Sequence, residues 1–229
     1  MKFSDLAWAA FIHYYKSRGD RKYVKLFRDT AFISKLREAP WDVPYEEFET
    51  KILSGFLNSI GLRLPVGKRG GNILAEIIKL RRQTSSLQSI CLLDCDLSNE
   101  DLLQNIRQIY DGLSSVDGLW VTGISKIAHT LNESLFVVLD LKTSKYFGLR
   151  GQADDYIKWL GIAKQRALEV TKDFQSLGLP GSPEVFLSEK LGHSNYGCHK
   201  SLARFIDEYL WLTTSENLPI PPNWTPSLL

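Results

Sequence analysis

The sequence predicts an all-α protein. Apolar residues recur at helical spacing along most of the chain, for example in FSDLAWAAFIHYYKS near the N-terminus and in ADDYIKWLGIAKQRALEVTKDFQSL after residue 152. Apolar and polar residues show no sustained alternation, and no segment of the chain repeats. Glycine and proline fall between the periodic segments, where they are expected to end one helix before the next begins.

Boundary residues divide the periodic segments into individual helices. Asn72 is a candidate N-cap because its side chain can accept a backbone N–H of the first turn, and Ser98 with Asp101 resembles a capping box. The segment from Ser85 to Cys95 fits a short helix or a buried strand, and its neighbours favour a helix. The predicted helices cover about residues 3–17, 22–37 (one helix or a bent pair), 45–60, 73–83, 85–95, 98–110, 140–147, 153–177 and 199–212, with a further helix after Gly123.

The composition is that of an ordinary globular chain. Its 229 residues are 44% hydrophobic and 24% charged, and the net charge is +2, so nucleic-acid binding would require a local basic patch. Cys91, Cys95 and Cys198 form no zinc or disulfide pattern and are expected to be buried free thiols. Because no leader-like segment and no apolar run of membrane-spanning length is visible, we expect a cytoplasmic protein without a membrane partner.

A segment near the middle of the chain is the most informative about function. It reads LWVTGISKIAH over residues 119–129 and predicts a tight hairpin at Gly123, since glycine permits a sharp turn and a close backbone approach. The helix that follows would present unpaired backbone N–H groups to a phosphate, and Lys126 would add a positive charge. The alternative is an ordinary corner between two helices.

One carboxylate stands out by its position after an apolar run. Asp140 follows FVVL, and partial desolvation there would raise its pKa and make it a better base. The same residue suits the N-cap of the predicted helix 140–147, and the two roles are compatible because a capping carboxylate has a second oxygen. The adjacent acidic residues Asp207 and Glu208 are instead expected on a solvated helix face.

Two further features suit a nucleic-acid partner. Lys68 and Arg69 lie in a predicted loop, PVGKRGGN, which lacks the spacing of a nucleotide-triphosphatase loop but could clamp a phosphate; the alternative is a solvated loop. Trp120, beside the predicted hairpin, is the best candidate among the tryptophans for stacking on a flipped base. Trp159 and Trp211 lie on apolar helix faces and are expected in the core.

The residues GISKIA from Gly123 and FVVLD ending at Asp140, with Lys145 downstream, resemble the helix-hairpin-helix DNA glycosylase superfamily over about thirty residues. The resemblance implies a single helical domain with two lobes beside a cleft, which would be residues 45–148 and residues 1–44 plus 149–229. It also implies that the hairpin amides, here those of Gly123, Ser125 and Ile124, grip a DNA strand, often with a bound monovalent cation. The aspartate of that family, here Asp140, assists the departure of a flipped base.

The chain departs from that superfamily at several positions. Thr122 replaces the hairpin proline, Ser125 replaces the second glycine, and the spacing to the aspartate is several residues shorter. The lysine of bifunctional members falls on Ile127, whereas Lys126 lies one step earlier and is turned by about 100° on a helix.

The resemblance therefore implies a monofunctional glycosylase that acts in base excision repair. It would hydrolyse the N-glycosidic bond of a damaged or mismatched base, with DNA or RNA as its partner and no further cofactor. The alternatives are a non-catalytic nucleic-acid-binding module, in which Asp140 only caps a helix, and a helical protein-interaction domain.

Overall fold

Helices joined by turns and short loops make up the computed structural model, which describes residues 1–16, 18–57, 68–216, 218–221 and 224 and contains no β-strand among them. The all-α prediction is confirmed for this part of the chain. The α-helices are α1 (Phe3–Lys16), α2 (Arg18–Phe27), α3 (Thr30–Glu38), α4 (Tyr45–Phe48), α5 (Lys68–Lys79), α6 (Arg81–Leu87), α7 (Glu100–Ser114), α8 (Val121–Leu131), α9 (Leu141–Tyr146), α10 (Ala153–Ser176), α11 (Pro183–Lys190) and α12 (Leu202–Leu210). Wider π-helical turns continue α4 over Glu49–Leu57 and α12 over Trp211–Ser215, and 3-10 turns occupy Pro40–Asp42 and His193–Tyr196.

The helical segment predicted over residues 22–37 is a bent pair. It divides at Asp29, whose side chain accepts the Phe32 N–H at 3.2 Å and so caps α3. A side-chain acceptor at this position satisfies an amide that the helix itself leaves without a partner. The bend lets α2 pack on the π-helical turn after α4 while α3 packs on α6 and α8.

Three predicted boundaries are wrong. Asn72 lies inside α5, which begins at Lys68, so it caps no helix. The residues after Leu87 form turns rather than a helix, because the side chain of Asn132 binds the carbonyls at the end of α6. Asn99, not Ser98, caps α7, since the hydroxyl of Ser98 is already donated to a neighbouring aspartate.

The C-terminal half supplies the longest helix. α10 runs without interruption through Gly161 and packs between α7, α12 and α1. The short helix α11 was not predicted, because its apolar residues Val185, Phe186 and Leu187 are consecutive rather than helically spaced. Within the described chain, no helix combines the length and the apolar character that crossing a membrane requires.

One contiguous core joins most of the helices. Apolar side chains from α1 through α12 belong to a single buried cluster, with Trp159 fully enclosed at its centre. α3 belongs to one predicted lobe but contacts α6 and α8 of the other. The division into two lobes therefore stays a prediction.

The three cysteines are free thiols, as expected from the sequence. Cys95 and Cys198 are buried and Cys91 is half-buried. Burial raises the pKa of the Cys198 thiol to about 11, so this side chain stays protonated and acts as a small apolar group.

Candidate functional site

The predicted hairpin is the beginning of α8. The helix covers Val121–Leu131 with Trp120 at the N-cap position, and the Ile124 N–H donates to the Trp120 carbonyl at 2.9 Å. Gly123 is the third helical residue and is buried, so the prediction of a tight turn there is wrong. The chain instead turns at Gly118, which has a φ of 82°, and the apolar period beyond it continues as helix.

Burial also changes the roles expected of the hairpin residues. The expectation was that the amides of Gly123, Ile124 and Ser125 face a phosphate at the surface. The structure buries all three residues in α8. The backbone expected to hold a monovalent cation is a helical turn, and a bound cation stays a prediction.

Ser125 ties the first turn of α8 to the residue before Asp140. Its hydroxyl accepts the Leu139 N–H at 3.0 Å and lies 3.2 Å from the carbonyls of both Leu139 and Thr122. The buried Ser125 hydroxyl therefore links the first turn of α8 to the extended segment.

The extended segment before Asp140 crosses the core without a neighbouring strand. Buried backbone groups need hydrogen-bond partners, and here side chains supply them. His129 Nδ1 lies 2.5 Å from the Phe136 carbonyl, and Tyr156 and Trp159 donate to the Val137 carbonyl at 2.9 and 3.2 Å. Burial lowers the pKa of His129 to about 3, so its ring is neutral and Nδ1 carries the donated proton. The segment is thus held on several sides, and Asp140 emerges at its end.

Asp140 is the N-cap of α9, as predicted. Its Oδ1 accepts the backbone N–H groups of Lys142 and Thr143 at 2.7 and 3.0 Å, and its Oδ2 accepts the Thr143 hydroxyl at 2.7 Å. The Ser215 hydroxyl, from the π-helical turn after α12, lies 3.0 Å from Oδ2. The expectation that capping leaves the second oxygen unused is wrong, because hydroxyl groups occupy it.

Lys126 points into the protein rather than towards solvent. Its side chain is 8% exposed, and desolvation lowers its pKa to about 8, although the nearby carboxylates of Asp207 and Asp140 act in the opposite direction. The prediction that Lys126 adds a surface charge for a phosphate is therefore wrong. The structure instead joins it electrostatically to Asp140.

A third charged residue, Asp207, is linked electrostatically to Lys126 and Asp140, and the sequence did not indicate it. Asp207, on α12, is buried and forms an ion pair with Arg204 one turn earlier. Burial raises the pKa of Asp207 to about 7, and the positive charge of Arg204 only partly offsets that rise. The expected solvated face is wrong for both Asp207 and Glu208; the apolar residues all around the segment LARFIDEYLWL were the available signal. We call Lys126, Asp140 and Asp207 the Asp140 cluster.

The surface near Asp140 combines aromatic and basic side chains. Trp120 is 79% exposed, and Leu141 and Tyr146 on α9 are also exposed. Lys142 and Lys145 project from the same short helix and are exposed as well. The Ser125 hydroxyl joins the first turn of α8, which follows Trp120, to Leu139, which lies two residues before α9.

The second predicted phosphate contact falls outside what the structure describes. α5 begins at Lys68, so the loop predicted over residues 65–72 is wrong from Lys68 onward. The side chains of Lys68 and Arg69 lie outside the described part, and a phosphate contact there stays a prediction.

A second group of buried charges lies beneath α1 and α2. Lys200 contacts the carboxylates of Asp20 and Glu208, the latter at 2.7 Å. His193 Nε2 lies 3.2 Å from Asp20, and His13 Nδ1 lies 3.2 Å from Glu208. We call these five residues the ionic core.

The ionic core resembles a metal site in its ligands but holds its own cation. His13, Asp20 and Glu208 could offer three ligand atoms to an ion. The Lys200 ammonium already contacts both carboxylates, and Arg204 adds a guanidinium 3.0 Å from Glu208. Burial alone would raise the pKa of Asp20, but hydrogen bonds from the histidines and the Lys200 charge hold it well below its ordinary value. The charges in this group neutralise one another.

Comparison with known proteins assigns no family. No protein-family model, curated protein or solved structure matches the chain. The functional argument therefore depends on the residues and the geometry described above.

Proposed function

We propose that the chain binds nucleic acid and hydrolyses the N-glycosidic bond of a damaged or mismatched base, with Asp140 as the catalytic carboxylate. The Asp140 cluster carries the proposal: Asp140 lies at the end of a buried segment, within Coulombic range of a lysine with a pKa near 8 and a carboxyl with a pKa near 7. Buried groups whose pKa values are displaced towards neutrality are typical of catalytic sites.

The chemistry of this bond suits a fixed carboxylate. Breaking a glycosidic bond develops positive charge on the sugar, which a carboxylate stabilises electrostatically, and the same group can activate the attacking water. Asp140 is oriented by the amides of α9 and by two hydroxyls, those of Thr143 and Ser215. The charges of Lys126 and Asp207 lie within Coulombic range of Asp140, and we assign them a positioning role rather than a chemical one.

The surrounding surface supports a nucleic-acid partner. Exposed aromatic rings such as Trp120 and Tyr146 can stack on bases, and Lys142 and Lys145 can contact phosphates. The net charge of +2 adds little by itself, so a local arrangement of this kind is what binding would require.

A second candidate function is favoured by one observation. Four hydrogen-bond donors occupy the Asp140 carboxylate in the absence of a ligand, as expected of a purely structural cap. In that case, the same surface would belong to a non-catalytic nucleic-acid-binding module.

A cleavage assay separates the two functions. Duplexes carrying uracil, hypoxanthine, 8-oxoguanine, 3-methyladenine or a mismatched adenine are incubated with the protein and then treated with hot alkali to break abasic products. We expect alkali-dependent breaks that fall by at least about 100-fold in Asp140→Asn, the scale of losing one electrostatic group at a reacting centre. Asp29→Asn is the matched control because Asp29 caps α3 in the same way.

The remaining outcomes are also decisive. Salt-sensitive binding without breaks would support the non-catalytic module, and neither binding nor breaks would overturn both proposals. Breaks that persist in Asp140→Asn would show that another residue is the catalytic carboxylate.

A binding assay tests the surface separately. Trp120→Ala should weaken binding to single-stranded DNA by about fivefold or more, since base–aromatic stacking has that strength. Replacing Lys142 and Lys145 with glutamine should lower the slope of affinity against salt concentration. Arg81→Gln, at an exposed position on α6, is the control and should leave both quantities unchanged.

A further inference from the structure

A second candidate site lies apart from the Asp140 cluster and shares no residue with it. A cleft of about 410 Å³ opens between α1, α2 and the 3-10 turn His193–Tyr196. This volume is within the range of small-molecule sites, about 300–1,000 Å³. The groups around the cleft fall into a basic edge, a polar floor and an aromatic mouth.

The basic edge comes from one face of α2 and from Arg28 directly after it, whose backbone N–H donates to the Val24 carbonyl at 3.0 Å. Arg21, Lys25 and Arg28 line the cleft and are spaced by four and three residues, which places them one above another along the helix. All three are exposed, and among the described residues none of them forms an ion pair with a carboxylate. Three cations in a row beside a cleft fit an anion with several oxygens, such as a phosphate.

The polar floor contains a buried nitrogen without a partner. His193 is 1% exposed, and its Nε2 lies 3.2 Å from the ionised Asp20 carboxylate and donates to it. The other ring nitrogen, Nδ1, has no hydrogen-bond partner in the described chain. An unsatisfied buried polar atom costs free energy, which a ligand group can recover. A hydroxyl suits Nδ1 because it can both donate and accept.

The aromatic mouth is formed by two tyrosines of α1. The ring of Tyr14 lies 5.4 Å from the His193 ring, so it joins the mouth to the floor. Tyr15 is 70% exposed, and its ring packs against Phe11 and Tyr14 with centroid distances of 4.6 and 5.2 Å. These contacts hold one side of the Tyr15 ring in place and leave the remainder for a planar ligand.

We propose that this cleft binds a nucleoside phosphate. The phosphate lies on Arg21, Lys25 and Arg28, a sugar hydroxyl satisfies His193 Nδ1, and the base stacks on Tyr15. A free ribonucleotide and a nucleotide within a single RNA strand offer this same chemistry, because both carry a 2′-hydroxyl. The site is independent of the proposed glycosidic activity, since it requires only binding.

Calorimetric titration of the full chain tests the proposal. The probes are adenosine 5′-monophosphate, ribose 5-phosphate, inorganic phosphate and a short single-stranded oligoadenylate (RNA). We expect adenosine 5′-monophosphate to bind at least about fivefold more tightly than ribose 5-phosphate, because only the former can stack. Tighter binding of the oligonucleotide would identify a strand as the source of the nucleotide, and the reverse order would identify a free nucleotide.

Variants at exposed positions keep the test independent of folding. Lys25→Gln should weaken adenosine 5′-monophosphate binding severalfold, and Tyr15→Ala should reduce it to the level of ribose 5-phosphate. Lys22→Gln is the matched control, since Lys22 is exposed on the same helix and does not line the cleft. No heat of binding, or binding that Lys25→Gln and Tyr15→Ala leave unchanged, would overturn the proposal.

The two proposals fail separately. Asp140→Asn should leave nucleotide binding in the cleft unchanged, and Lys25→Gln and Tyr15→Ala should leave alkali-dependent cleavage unchanged. Cleavage without nucleotide binding would overturn only the cleft, and nucleotide binding without cleavage would overturn only the glycosidic activity.

Discussion

Two groups of buried charges lie along α12, and they differ in how well their charges are balanced. In the ionic core, the Lys200 ammonium contacts two carboxylates, and the pKa values of Asp20 and Glu208 are lowered despite their burial. In the Asp140 cluster, desolvation dominates: it lowers the pKa of Lys126 and raises that of Asp207. Arg204 contacts a carboxylate of each group.

The difference shows that burial alone does not give a charged group a chemical role. Where opposite charges touch, the ionised forms are held and the group is structural. Where the partners compensate incompletely, the pKa values move towards neutrality and protons can transfer near physiological pH. The first situation describes Asp20 and Glu208 of the ionic core, and the second describes the pKa values of Lys126 and Asp207.

Breaking the ionic core should have the largest effect on stability. Lys200→Met leaves two buried carboxylates without their shared cation, and removing one partner of a buried ion pair costs about 3–5 kcal/mol. The free energy of unfolding in urea measures the loss. Lys79→Met, which breaks an exposed pair with Glu76, should change it by less than about 1 kcal/mol. An equally small change in Lys200→Met would contradict the structural role of this group.

The lowered pKa of Lys126 should make the free energy of unfolding depend on pH. Between about pH 8 and the ordinary lysine pKa of 10.5, only the unfolded chain keeps the proton of Lys126, so this residue makes stability rise with pH. Each pH unit in that window contributes up to about 1.4 kcal/mol. Urea unfolding at pH 7 and pH 10 should show that rise in the wild type and in the exposed control Lys22→Met, and should show it reduced in Lys126→Met.

Asp207 makes the opposite contribution in a different window. Between its ordinary pKa of 3.8 and about 7, only the folded chain keeps the proton, so stability falls as the pH rises. An Asp207→Asn variant should therefore lose this fall between pH 4 and pH 7. If its pH profile matched that of the wild type, the raised pKa would be contradicted.

Removing the Ser125 hydroxyl, which holds the extended segment before Asp140, should lower the free energy of unfolding by an intermediate amount. Ser125→Ala removes the acceptor of the buried Leu139 N–H, and an unsatisfied buried donor costs about 1–3 kcal/mol. The exposed Ser176→Ala is a matched control because its hydroxyl also bonds to a backbone carbonyl. Equal unfolding free energies for the two variants would contradict the role of Ser125 as a link between α8 and the extended segment.

The smallest change in the free energy of unfolding is expected from replacing Asp140, the N-cap of α9. Asp140→Ala should lower the free energy of unfolding by about 1 kcal/mol, the usual value of an N-cap, whereas Asp140→Asn should retain most of it. Comparing the two in urea separates the structural role of the carboxylate from its proposed catalytic role. An equal loss in both variants would show that the negative charge, rather than the cap geometry, stabilises α9.

Sequence reasoning worked where local rules apply. Helical spacing located α1, α10 and α12 to within a few residues, and the position of Asp140 before a polar helical segment identified its cap. It failed where contacts between residues distant in sequence determine where a helix ends. The side chain of Asn132, for example, donates to the Leu87 carbonyl at the end of α6.

The same contrast holds for the candidate sites. Asp140 was predicted because it follows an apolar run and precedes a helical segment, and Trp120 because it precedes the predicted hairpin; their functional roles stay predictions. Asp207 was not predicted, because its burial depends on the elements that pack around α12. The cleft also escaped prediction, since it combines residues of α1 and α2 with His193, more than 160 positions further along the chain.

The sequence by itself determined the helical class, most of the long helices and the capping role of Asp140, because periodicity and capping act within a few residues. Only the tertiary structure decided that Gly123 lies inside a helix, that Lys126 and Asp207 share a buried environment, and that Lys200 neutralises two carboxylates. Desolvation and ion pairing depend on groups that approach only when the chain folds.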